Sequence, residues 1–104
     1  MLEKIQAISD PTRYAILNLV KNRELPAGEI AGHFKSITRP AVSQHLRVLK
    51  DKGLLSERRE GTKRLYSIRN DGFEDIYNYL SGFWDLRLEK LKTLAENKGV
   101  DDEN

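Results

Sequence analysis

The chain has 104 residues, enough for one domain with a single core; it is 38% apolar and 33% charged, too apolar for a disordered segment and polar enough that part of its apolar surface is expected to be covered only by another chain. With no cysteine, disulfides, thiolate metal sites and cysteine nucleophiles are excluded; no apolar run approaches the roughly 20 residues of a membrane span, and Met1-Leu2-Glu3-Lys4 lacks a signal-peptide layout, so a cytoplasmic location away from membranes is expected. The net charge of +2 hides an uneven distribution: residues 36–69 carry nine Lys/Arg against three Asp/Glu, whereas residues 70–104 carry four against nine. A basic middle third suits a polyanion such as nucleic acid, and an acidic last third suits something else.

Leu2, Ile5 and Ile8 recur at three-residue spacing and predict a short helix over residues 1–9. Asp10-Pro11 is a strong helix start, because Asp10 can accept from free backbone N–H groups and Pro11 needs none of its own. The second helix is expected to run to about Asn22 with Ile16, Leu17 and Val20 inward. Leu25-Pro26 restarts the chain; Pro26 fits the first turn of a short third helix ending near Lys35, with Ile30, Ala31 and Phe34 inward. After the connection Lys35-Ser36-Ile37, Thr38 is a good N-cap, and a fourth helix should run to Lys52, with Gly53 as its left-handed stop.

Two short strands are expected at Leu54–Arg59 and Arg64–Arg69, joined by a turn at Glu60-Gly61-Thr62-Lys63. Asp71 can cap one long last helix, in which Phe73, Ile76, Tyr77, Leu80, Phe83, Trp84, Leu88, Leu91 and Leu94 follow three- and four-residue steps. Nine large apolar residues exceed what one side of a small domain covers. The stripe is therefore expected to serve both the core and a partner helix, with a twofold dimer as the default closure. The tail, residues 100–104, is acidic and expected to be disordered, leaving residues 1–99 as the single domain.

The fourth helix carries the clearest chemistry. Winding residues 38–52 at about 100° per residue puts Val42, Leu46 and Leu49 on one side and Pro40, Ser43, Gln44 and Arg47 on the other, with Lys50 at the edge. Ser and Gln can hydrogen-bond base edges in a major groove, and Arg pairs bidentately with guanine. Thr38 and Arg39 stand at the positive helix end, where phosphates are favoured. Arg58, Arg59, Lys63 and Arg64 crowd the hairpin, a repulsion that a phosphate backbone would remove. His45 falls between the two sides, as consistent with a backbone carbonyl partner as with DNA. A solvated amphipathic helix is the plainer alternative, but a short helix and tight connection in front of it are how a reading helix is presented. No paired carboxylates lie near a histidine, and there is no glycine-rich phosphate loop or activated serine, so no enzyme activity, cofactor or metal is expected.

Ala7-Ile8-Ser9-Asp10-Pro11-Thr12-Arg13 followed by Ile16-Leu17 resembles the opening of the ArsR family of bacterial winged-helix repressors. Arg39-Pro40-Ala41-Val42-Ser43-Gln44-His45-Leu46-Arg47-Val48-Leu49 is similar to that family's recognition helix. Gly53-Leu54-Leu55, then Arg58-Arg59-Glu60-Gly61 through Leu65-Tyr66, resemble its strand and wing. The resemblance covers roughly residues 5–70. It implies a mainly α fold with a small β-hairpin (α+β), a winged helix-turn-helix of five helices plus a two-stranded wing. It also implies a homodimer held by the first and last helices, with Leu2, Ile5, Phe73, Tyr77, Leu80, Phe83, Trp84, Leu88 and Leu91 at the interface. By the same resemblance, a pseudo-palindromic operator would be bound and repression relieved by some signal. Leu25-Pro26-Ala27-Gly28 stands where the family's cysteine motif lies, and no histidine follows His45, so the family's familiar metal sites are missing. A winged helix that docks an acidic protein instead of DNA is the alternative these residues leave open.

Overall fold

A computed structural model describes residues 1–84 and 91–96. Its elements are α1 (Leu2–Ser9), α2 (Pro11–Leu19), β1 (Leu25–Pro26), α3 (Ala27–Gly32), α4 (Arg39–Asp51), β2 (Leu55–Glu60), β3 (Lys63–Ile68) and α5 (Asn70–Ser81); residues 91–96 are also helical. The local signals act as expected at three starts and stops. The Arg13 amide donates to Asp10 Oδ2 at 3.0 Å and the Ala41 amide to Thr38 Oγ1 at 3.3 Å, so each helix begins on its capping side chain. Gly53 and Gly61 have φ of 77° and 63°, the left-handed conformation that ends α4 and turns the hairpin.

The core is one cluster. Ile16 and Leu17 of α2 and Val20 just after it meet Ile30, then Val42, Leu46 and Leu49 of α4, closed by Leu25, Leu54, Leu55, Tyr66 and Ile76. Because α4 buries one full side, its opposite side is fixed outward. Gly72 shows how closely α5 is seated: a Cβ there would lie 2.0 Å from the Gly53 carbonyl oxygen. The first turn of α5 therefore rests on the backbone where α4 ends and β2 begins.

Four expectations need correction. The second helix stops at Leu19 and the third at Gly32, short of Asn22 and Lys35, because the chain must turn into β1 and then span residues 33–38 to reach α4. The sheet has three strands, in the order β1-β3-β2, where a two-stranded wing was expected: Leu25 pairs with Tyr66 and Pro26 with Leu65. Pro26 is tolerated because β1 is an edge strand. The hairpin turn is shorter than expected, since Glu60 and Lys63 pair and only Gly61 and Thr62 lie between the strands. Finally, the expected single last helix is interrupted. It starts at Asn70, with Asp71 inside its first turn, and ends at Ser81. The Gly82, Phe83 and Trp84 amides donate to the Tyr79, Leu80 and Ser81 carbonyls, three residues back, which tightens the chain into a turn instead of continuing the α ladder. The described residues thus hold six helical segments, not five. Leu88 and the tail at residues 100–104 lie outside the described residues.

Candidate nucleic-acid interface

The outward side of α4 and the adjacent sheet form one continuous basic surface. Arg39, Pro40, Ser43, Gln44, Arg47 and Lys50 are all exposed, as is the capping Thr38. The strand register places the hairpin's charges. Side chains alternate across a strand, and the pairs Leu55 with Ile68, Glu57 with Tyr66 and Arg59 with Arg64 fall on one face of the sheet. Leu55 is buried in the core that α4 also fills, so this is the α4-facing side. Arg59 and Arg64 stand directly opposite each other at its outer end. Like charges directly opposite each other on a sheet are destabilising. A cleft of about 260 Å³ separates helix from sheet, lined by Ser43, Arg47 and Lys50 on one wall and Glu57, Arg64 and Tyr66 on the other.

Besides Thr38, whose hydroxyl caps α4, Arg58, Lys50 and His45 among the twelve expected contact residues have partners among the described residues. Arg58 forks onto Glu24, with Nε to Oε2 at 2.8 Å and Nη2 to Oε1 at 2.6 Å, and Nη2 also lies 3.2 Å from Glu60. The guanidinium hydrogen bond holds the Glu24 carboxyl below its usual range, and Glu24 in turn raises Arg58. This pair ties β2 to the loop before β1. Lys50 Nζ lies 3.5 Å from Glu57, whose carboxylate accepts from the Tyr66 hydroxyl at 2.9 Å. His45 points to the start of α2: its Nδ1 is 3.2 Å from Arg13 Nη1 and 3.8 Å from Asp10 Oδ2. Arg13 Nε also donates to the Ala7 carbonyl at 2.8 Å, so one arginine joins α1, α2 and α4. Sequence reasoning missed this arginine as an organiser of the site; its only signal was its place three residues after the Asp10 cap. Asp10 is held below its usual range, chiefly by the Arg13 amide.

By contrast, Arg39, Arg47, Arg59, Lys63 and Arg64 form no ion pair among the described residues. Nor do these residues contain a group of three or more His, Asp or Glu arranged to hold a metal ion.

Away from this surface, the expected partner-facing residues divide. Phe73 and Leu80 pack on the chain's own core and Ile5 is half-buried. Leu2, Tyr77, Phe83 and Leu91 are exposed, Phe83 at 70%, with Trp84 less so. The Tyr79 and Phe83 rings meet edge to face with centroids 5.3 Å apart.

Residues 10–57 match the family model described as bacterial regulatory protein, arsR family. The chain is similar to the transcriptional repressor SdpR of Bacillus subtilis, at 41% identity over 78 residues, which are 75% of this chain and 86% of that one. It is 38% identical over 96 residues to the HTH-type transcriptional regulator Rv2034 of Mycobacterium tuberculosis, covering 92% and 89% of the two chains. Among solved structures, an ArsR family transcriptional regulator superposes with a TM-score of 0.75 at 26% identity, over 81% of this chain and 91% of that one. NolR from Sinorhizobium fredii superposes with a TM-score of 0.63 at 29% identity, over 80% and 82%.

Proposed function

This chain belongs to the arsR family of bacterial regulatory proteins and is a DNA-binding transcriptional regulator, and from that premise we propose that it acts in the cytoplasm as a dimeric repressor reading a pseudo-palindromic operator. Ser43, Gln44 and Arg47 meet base edges in the major groove, with Pro40 packed beside them. Thr38 and Arg39 position the helix end on phosphates. Arg59, Lys63 and Arg64 of the hairpin engage the neighbouring backbone and groove, Lys50 lies beside Arg47 with its charge held by Glu57, and His45 and Arg58 brace α4 and β2 from behind. One such helix reaches only a few base pairs. Two copies joined through Leu2, Tyr77, Phe83, Trp84 and Leu91 would present two helices about 34 Å apart, the spacing of successive major grooves.

The observation that carries this reading is the pairing of Arg59 with Arg64 beside the exposed polar side of α4. Such a pair is unfavourable in the free protein and favourable once a polyanion lies across it. A dimeric state is supported by the apolar side chains that α1, α5 and the residues after α5 leave in solvent. Fluorescence anisotropy with duplex from the region upstream of the protein's own gene tests the reading. Affinity should fall by about 0.9 log units per log unit of salt for each phosphate neutralised. Arg47→Ala should flatten base preference, whereas Lys63→Ala should weaken all sequences alike and lower the salt slope by about 1. Binding that ignores salt, or a stoichiometric protein partner retained after nuclease treatment, would count for a protein-docking module instead.

A further inference from the structure

One carboxylate sits among the cations of the cleft. Glu57 projects from the α4-facing side of β2, with its side chain only 17% exposed. Its partners come from both walls: Tyr66 on β3 at 2.9 Å and Lys50 on α4 at 3.5 Å. Partial burial works against its charge, yet the Tyr66 hydroxyl, the Lys50 ammonium and, more weakly, the Arg64 guanidinium outweigh that and keep the carboxyl below its usual range. An anion on a surface that meets phosphates opposes binding. Its pair with Lys50 adds little to fold stability, because the Lys50 end is about half exposed.

Resting on the DNA-binding reading above, we propose that Glu57 is a positioning and specificity-determining residue, which couples the wing to the reading helix and withholds the Lys50 ammonium from DNA phosphates. Lys50 is one helical turn beyond Arg47 on the same exposed side of α4. Its flexible stem would otherwise carry an unclaimed charge to any nearby backbone, whatever the sequence. Held by Glu57, that charge contributes no sequence-independent attraction. The same carboxylate, gripped by Tyr66, fixes the width of the cleft, so that Arg47 and Arg64 meet the duplex in a set relation. Discrimination between operator and other DNA rises because the non-specific part is kept down.

The test uses the full-length protein, an operator duplex and a random duplex of equal length, with Glu57→Gln, Lys50→Gln and the double variant, across a salt series. The amide oxygen introduced by Glu57→Gln can still accept from the Tyr66 hydroxyl, so the substitution removes charge and little else. Glu57→Gln should steepen the random-duplex salt slope by about 0.9, one added phosphate, raising that affinity about eightfold near 0.1 M salt relative to 1 M. Operator affinity should rise less, so the ratio of the two falls. Lys50→Gln alone should keep the wild-type random-duplex slope, and the double variant should lose the gain of Glu57→Gln. An unchanged slope and ratio in Glu57→Gln overturns the proposal. So does a gain that survives in the Lys50→Gln background, a lower slope in Lys50→Gln alone, or a Glu57→Gln chain that no longer folds, which would make the role structural. Failure of the wild type to bind either duplex would overturn the DNA-binding reading itself, and this inference with it.

Discussion

Replacing Gly72 by Ala places a methyl group where the fold has no room. The added Cβ would stand 2.0 Å from the Gly53 oxygen, 2.9 Å from the Gly53 carbonyl carbon and 3.5 Å from Leu54 Cδ2. Real Cβ contacts essentially never fall under 3.0 Å, so α5 must retreat by about 1 Å from the α4–β2 junction. The obstacle is backbone, which cannot rotate aside. With backbone as the obstacle the overpacking cost falls at the top of its usual range, about 3 kcal/mol, against a gain of about 1 kcal/mol from alanine's better helix propensity. A net loss of about 2 kcal/mol lowers the melting temperature of a domain this size by about 8–16 °C. Thermal unfolding by circular dichroism measures it, with Gly32→Ala as the control. Nothing lies within 4 Å of a Cβ at Gly32, at the end of α3, so that variant should melt at or slightly above the wild type. A Gly72→Ala chain that melts as high as the wild type would refute the claimed seating of α5.

Acid should destabilise the fold in a set direction. Asp10, Glu24, Glu57 and Asp71 are all held below their ordinary values when folded. Their contributions are therefore present above the unfolded values near about 4 and are lost as pH falls through the folded ones; melting temperature should be flat from neutral to mildly acid pH and drop only below that. Asp10→Ala, which removes the α2 cap, should cost about 1 kcal/mol at neutral pH, seen as a lower midpoint in urea. If the chain dimerises as proposed, Phe83→Glu should leave it monomeric in sedimentation velocity with its helical content unchanged, because Phe83 is outside the core; a variant that stays dimeric would refute an interface at Phe83.

The features readable from sequence were those fixed by one or a few adjacent residues. Asp10-Pro11, Thr38, Gly53 and Gly61 state their roles through capping oxygens, a missing N–H and positive φ. The buried side of α4 follows from a period of 3.6. Features set by distant pairing were not readable. Two residues, Leu25 and Pro26, cannot display alternation, and only Tyr66 and Leu65 some forty residues on make them a strand. The break after Ser81 was hidden because apolar spacing continues past it; Gly82 was the one local sign. Within the site, the exposed side chains were identified, but which cations are already spoken for was not. Glu24 reaches Arg58 across 34 residues and Arg13 reaches His45 across 32, and these pairings come from packing, not from pattern.

The central claim is that two copies of α4 read successive major grooves with the hairpins beside them. Hydroxyl-radical footprinting of the operator tests it most directly. Two symmetry-related protected patches with centres about 34 Å, or 10–10.5 base pairs, apart are predicted. A single protected patch, or patches whose separation is not a whole number of helical turns, would contradict it.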